Sequence, residues 1–426
     1  MRKIFLALML LGEILMAATI KHFETDGVAI PVILEQDKRL PLVTMQLVFT
    51  NGGSIADTKA GLAKLGAKMM GEGTKKLGSS AFAEALEAKA IHISASVGRE
   101  TFVIEMSCLK EELQSALGFL EMLLADPNLS EDVLKKVKKT TIGSLSRKEN
   151  DYDYVASNAL KALLFAGTPL QNPASGTVVS VESITLAEIK SFLETHLVRS
   201  RLIIALGGDV ELEGVEEKLR TVVHALEKGE SSEVSFFEAN AHAKENILKR
   251  ETEQAYIYFG APFAMRDDSK EQYKAKVAAF ILGAGGFGSR MMEEIRVKRG
   301  LAYSAYARID ISKSSSYMNG YLQTKIESLE EAKTTVKAVI AEFVKNGVSQ
   351  EELEQTKKFL LGSEPLRVET MSQRLNRAFM EFYKGQEAGF ALKELALIQA
   401  LELEELNDFI KTHTEINDLS FAIVTK

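Results

Sequence analysis

Two lysines and an alanine stand out where a chemical helix would be expected. The stretch Gly61 to Thr74 reads GLAKLGAKMMGEGT, with Lys64 and Lys68 four residues apart and Ala67 between them. Residues i and i+4 share one helical face, so the spacing predicts two ammonium groups side by side. Asp57 is the candidate N-cap and Gly73 the candidate terminator. Zinc takes neutral imidazole, thiolate or carboxylate, and a pair of ammonium groups offers no lone pair at neutral pH. Ala67 brings no base to receive a proton from metal-bound water. A plain solvated helix face accounts for the lysines as well as any active role does.

Other residues with chemical potential are scattered or ambiguous. His22, His92, His196, His224, His242 and His413 include no pair at ligand spacing, so each reads as a surface or structural histidine. Cys108 is the single cysteine, which excludes an internal disulfide and a cysteine metal cluster. The segment Ser289 to Tyr306, SRMMEEIRVKRGLAYSAY, carries Arg296 and Tyr303. Taken singly, Arg296 reads as half of an exposed helix ion pair with Glu293, and Tyr303 as a core strand residue. Gly283 to Gly288 satisfies G-x-G-x-x-G, but Ser269 to Leu282 before it has helical spacing, whereas a dinucleotide fingerprint requires a strand there.

The elements that must position these residues occur twice. Ser191 to His196 returns as Asp408 to His413, Leu129 to Leu134 as Val348 to Leu353, and Gly143-Ser144 as Gly362-Ser363, all at nearly one offset. Strand signals open each half at Leu42 to Thr50 and Gln254 to Gly260, and close each at Arg201 to Gly207 and Leu419 to Val424. Helical periodicity lies between them, as at Leu109 to Leu124. Strands and helices mix without strict β-α-β alternation. The fold class expected is therefore α+β, with two homologous tandem domains, each a mostly antiparallel sheet packed with helices. The boundaries are 19–226 and 246–426, with the polar stretch 227–245 as linker.

Bulk properties agree. A chain of 426 residues exceeds one ordinary core, and a net charge of -7 leaves no basic footprint for nucleic acid. Residues 1–18 read as a signal peptide: Arg2 and Lys3, an apolar run interrupted by Glu13, then Ala17 and Ala18. The expected location is the periplasm or the cell exterior, with an uncleaved anchor as the alternative.

The Gly61 stretch resembles the active helix of the pitrilysin and mitochondrial processing peptidase family, roughly G-x-A-H-x-x-E-H-x-x-x-x-G-T. Lys64 and Lys68 then stand at the histidine positions and Ala67 at the general-base glutamate. The Ser289 segment is similar to that family's S-R-L-x-x-x-x-R-x-x-x-G-L-A-Y-S. The resemblance covers essentially the whole chain after its N-terminal segment and implies two domains closing around a chamber. It places the third zinc ligand, a glutamate about 75 residues downstream, near Ser144. It also implies that Arg296 grips substrate carbonyls and that Tyr303 donates to a developing oxyanion. Four positions lost at the metal and two kept across the chamber imply a non-catalytic subunit without a cofactor of its own. Its partner would be a homologous zinc-bearing peptidase subunit, and its substrate a peptide. The rival reading is a structural or peptide-binding scaffold that keeps only the fold.

Overall fold

The computed structural model describes residues 18–426, so the signal-peptide assignment lies, but for Ala18, outside the described residues. Its first sheet contains β1 (Thr19–Thr25), β2 (Val28–Gln36), β3 (Leu42–Thr50), β4 (His92–Val97), β5 (Thr101–Leu109) and β6 (Leu202–Gly208), in the order β1-β2-β6-β3-β5-β4. The second contains β7 (Glu245–Lys249), β8 (Gln254–Pro262), β9 (Ala302–Ile311), β10 (Ser316–Lys325) and β11 (Ser420–Thr425), in the order β7-β11-β8-β10-β9. Among these strands only β2–β6 and β7–β11 pair in parallel. Removing β1 leaves two sheets with one topology: β2 answers to β7, β6 to β11, β3 to β8, β5 to β10 and β4 to β9. The duplication expected from the sequence is thus written into the strand order.

Side-chain alternation explains the strands. β5 buries every second residue, Phe102, Ile104, Met106 and Cys108, as a strand with one core face must. β11 is buried along its whole length, because it is central and covered on both faces. The helical stripe expected from Leu109 is shorter at its start: β5 runs through Leu109, and the helix spans Leu113–Ala125. Strand propensity outlasts the apolar periodicity there, since Leu109 pairs with Leu42.

Five helices either frame the candidate site or cover a sheet: α1 (Leu62–Met70), α2 (Glu131–Lys148), α3 (Tyr152–Leu164), α4 (Leu186–His196) and α5 (Met371–Tyr383). The chain forms two compact units that do not follow the contiguous stretches 19–226 and 246–426. The first comprises residues through Gly143, Ala174–Val234 and Pro365–Ala391; the second comprises Ser144–Pro173, Ser235–Glu364 and Leu392–Lys426. Each unit therefore contains a helix encoded in the other half. In the first unit, Leu375 of α5 joins Ile33, Val48, Ile203 and Ala205 in one cluster. In the second, Leu160 and Leu164 of α3 join Phe165, Tyr317 and Ala422. A glycine in each sheet makes room: a Cβ on Gly207 would strike Met371, and one on Gly260 would strike Leu164. Contiguous boundaries miss this exchange because burial is decided by contacts between residues far apart in sequence, such as Leu164 with Gly260 and Leu375 with Ile33, which periodicity cannot register.

Candidate functional site

α1 forms where the spacing placed it. Its buried residues are Leu62, Ala63, Leu65, Gly66, Ala67, Met69 and Met70, so Lys64 and Lys68 are the two positions of the helix left outside the core. The helix begins after Gly61, not after Asp57. Asp57 nevertheless serves the helix start from the preceding loop, accepting from Gly61 N at 2.9 Å and Ala63 N at 2.7 Å. Burial pushes its carboxyl up to about 7, against the pull of those backbone donors. The helix ends at Met70 with Gly71 at its C-cap, and Gly73 follows in a left-handed conformation. α4 lies alongside: an added Cβ at Gly66 would meet Ile189 and Leu193. Glu188 of α4 pairs with Lys59 at 2.7 Å, just before α1 begins.

The two lysines reach different neighbours. Lys64 Nζ donates to Ser175 Oγ at 3.3 Å, and Lys68 Nζ donates to Thr141 Oγ1 at 2.8 Å. Thr141 lies on α2 and is 5% exposed. The residue of α2 in hydrogen-bond contact with Lys68 is therefore Thr141, one turn before the Ser144 expected from counting. Helical position is fixed by packing, and a count across the intervening loops is good only to about a turn. These groups do not fit zinc: two ammonium groups, one methyl and one hydroxyl stand where the family pattern has two imidazoles and two carboxylates. Among the described residues, no three His, Cys, Asp or Glu come together as a group that could hold a metal ion.

Two of the six histidines show the structural settings expected of them. His196 stacks on Phe192 with ring centroids 4.4 Å apart, and its Nδ1 lies 2.8 Å from Asn51 O. Its repeat counterpart, His413, stacks on Phe263 at 4.4 Å and bonds Glu415 at 2.8 Å. Burial and the neighbouring Arg201 hold His196 below the usual imidazole range.

In the second unit, Arg296 and Tyr303 come together. Arg296 lies in a π-helical turn, Met292–Val297, where Lys298 N bonds Glu293 O at 2.9 Å. Such widened turns recur at functional sites because they re-aim side chains. Its guanidinium carbon stands 4.3 Å from the Tyr303 ring centroid and 4.7 Å from that of Phe287. The ion pair with Glu293 does not form. Tyr303 is 83% exposed and Phe287 73% exposed, so neither is a core aromatic. A bulge accounts for Tyr303: Ala302 pairs with Thr324 and Ala305 with Leu322, leaving Tyr303 and Ser304 opposite Gln323 alone. The extra residue turns both side chains outward on an edge strand. Two exposed rings flanking a cation form a platform held by cation–π attraction. Phe287 was legible only as part of a glycine-rich run, and Ser175 carried no signal in the sequence at all.

The G-x-G-x-x-G run follows the helix Gln272–Ala279 and begins inside a π-helical turn, Phe280–Ala284, so no strand precedes it and the dinucleotide reading fails. Near α1, a recess of ≈170 Å³ lies between Met70, Phe82, Leu86, Ile91, Ile93 and Leu123. It borders β4, the edge of the first sheet.

Comparison with known proteins points the same way. Residues 31–178 match the family model described as insulinase (peptidase family M16), and residues 183–360 match that described as peptidase M16 inactive domain. The chain is 43% identical over 426 residues to the non-peptidase homolog YmxG of Helicobacter pylori, covering 99% of this chain and 98% of that protein. It is 22% identical to an uncharacterized zinc protease, YmxG of Bacillus subtilis, covering 72% of this chain and 75% of that one. The crystal structure of a peptidase M16 inactive domain from Pseudomonas fluorescens superimposes with a TM-score of 0.87 at 23% identity, covering 95% of this chain and 98% of that one. With Lys64, Ala67 and Lys68 on the helix where the family sequence carries its metal ligands and base, the chain belongs to peptidase family M16 as a member without the H-x-x-E-H zinc motif.

Proposed function

We propose that this chain is the non-catalytic subunit of a heterodimeric zinc peptidase, exported to the periplasm, which supplies Arg296 and Tyr303 to a site completed by a zinc-bearing homologue. The observation that carries this reading is the Arg296–Tyr303 pair, 4.3 Å from guanidinium carbon to ring centroid, with Tyr303 open to solvent and Arg296 half-buried, in a chain whose α1 cannot bind zinc. A tyrosine with no core role, turned outward by a bulge and backed by a guanidinium, is built to meet a ligand. Zinc held by the partner would supply Lewis acidity and an activated water, and the roles left to this chain are binding and charge stabilisation. Arg296 donates N–H groups to peptide carbonyls and fixes the chain's register. The Tyr303 hydroxyl donates to the carbonyl oxygen as it gains negative charge, a contact that strengthens where water is excluded.

The test is to mix the purified chain with its zinc-bearing partner and follow peptide hydrolysis. Tyr303→Phe and Arg296→Ala should each lower kcat/KM by about 10²-fold, as loss of an oxyanion donor does. Binding of the partner should be unchanged. Hydrolysis at the wild-type rate with both variants sinks the composite site. The second reading, a scaffold that holds peptides without cleavage, draws support from the name of the 43% identical relative, a non-peptidase homolog. That reading gains if no zinc-bearing chain associates with this one.

A further inference from the structure

Where α3 begins, the second sheet carries a carboxylate set against a row of tyrosines. Ile257, Ala307 and Leu322 are buried in the core on one side of β8, β9 and β10, so the residues that alternate with them face the other way. On that other face Tyr321 stands directly opposite Tyr258 on one neighbouring strand and Tyr306 on the other. The ring centroids of Tyr258 and Tyr306 lie 4.8 Å and 5.6 Å from that of Tyr321. Asp153, in the first turn of α3, reaches this row: the Tyr258 hydroxyl donates to its Oδ1 at 3.3 Å. Burial, and then the Asp153 charge, hold the phenols of Tyr258 and Tyr321 above their usual range, so both remain hydroxyls. Among the described residues no Lys, Arg or His forms an ion pair with Asp153. The start of α3 and a phenol offer its carboxylate only partial positive charge. Asp153 and the three rings are half-buried, so solvent still reaches them. One cation already rests on this row: the Arg308 guanidinium carbon stands 5.2 Å from the Tyr306 centroid, and its Nε donates to Asn319 at 3.2 Å.

We propose that Asp153, Tyr258, Tyr306 and Tyr321 form a binding site for an ammonium or guanidinium group, as carried by a lysine or arginine side chain. Such a cation answers both parts of the site. Its N–H groups give the carboxylate a charge-assisted hydrogen bond and a full counter-charge. Its positive charge is drawn to the negative faces of the rings, and more strongly where they are partly dry. A basic side chain of a peptide is one source of the group and a small free amine the other. The site uses neither Arg296 nor Tyr303 and needs no cleavage, so it does not rest on the composite zinc site and fails or stands separately.

The experiment is calorimetric titration of the full chain with three probes: a short end-blocked peptide with one lysine, the same peptide with that lysine acetylated, and butylamine as the bare cation. The wild type should bind the lysine peptide about tenfold more tightly than the acetylated one. Its affinity should fall as salt rises. Asp153→Asn keeps the shape of the side chain and an acceptor for Tyr258, and it should erase both that difference and the binding of butylamine. Tyr306→Leu, which removes one ring, should weaken the lysine peptide by about threefold to tenfold. Circular dichroism on each variant separates lost binding from lost folding. Butylamine bound as tightly as the lysine peptide assigns a free amine, and preference for the peptide assigns a side chain. No distinction between the two peptides together with no binding of butylamine overturns the site, and so does a preference for lysine that survives Asp153→Asn.

Discussion

Thr141 is the residue that most changes how the lost metal site is understood. Its contact with Lys68 at 2.8 Å makes it the position from which a carboxylate could join two ligands on α1. Lys64→His/Lys68→His should therefore bind zinc weakly, for want of a third ligand. Adding Thr141→Glu should give a near-stoichiometric site by atomic emission, because Zn–N and Zn–O bonds of about 2.0–2.2 Å need the donors to converge. The same pair with Ser144→Glu should stay poorly loaded; equal loading would restore the residue chosen by counting. What the sequence made legible here was the identity of the degenerate helix, since two lysines at helical spacing are explicit in the text. The opposing residue was not, because a one-turn error in α2 costs nothing in local propensity. Arg296 and Tyr303 show the reverse. Each alone pointed to an ion pair or a core strand, and only the bulge opposite Gln323 turned Tyr303 into an exposed partner.

At the scale of elements, α4 is tied to the entry of α1 by charge. Thr185 and Glu188 form a capping box, and Glu188 also pairs with Lys59. The hydrogen bond from Lys59, helped by the Thr185 N–H, lowers the Glu188 carboxyl to about 2. A carboxylate held below its unfolded value stabilises the fold above the unfolded pKa and loses that contribution as pH falls through the folded one. The window is therefore from near pH 4.5 down to about 2. Glu188→Gln should lower stability by about 1 kcal/mol at pH 7, a cap-sized effect once the partly exposed ion pair is discounted. Near pH 2 the variant and the wild type should unfold alike in urea; a gap that persists there would mean that the charge is not the cause. On α5, Arg374 is a sterner case. It bonds Glu35 at 2.6 Å and Asp37 at 2.7 Å, with Glu35 only 3% exposed. Arg374→Met leaves that carboxylate buried without its cation and should cost about 3–5 kcal/mol in the same titration. Strand limits were legible to within a residue or two, since β3 spans Leu42–Thr50 as its pattern indicates. The role of α5 was not, because an amphipathic helix does not say which sheet it covers.

For the whole molecule, the exchange of α3 and α5 makes each compact unit depend on the other half of the chain. A fragment ending at Val234 lacks α5 and should expose the face formed by Ile33, Val48, Ile203 and Ala205. Alone it should be expanded and bind a hydrophobic dye; expressed together with 235–426 it should fold and co-purify. A cooperative, dye-silent fragment would show that the exchanged helix is dispensable. The duplication was legible from short matches such as Ser191–His196 with Asp408–His413, yet the exchange was not, because repeats report ancestry and not which copy a helix packs against. The exchange also has a consequence for how the protein is made. The first sheet is complete in sequence at Gly208, but its covering helix ends at Tyr383. At 5–20 residues per second, an apolar face stays uncovered for roughly 10–30 s of elongation. Any chaperone that serves this chain during synthesis must therefore shield that face until nearly all of it has left the ribosome.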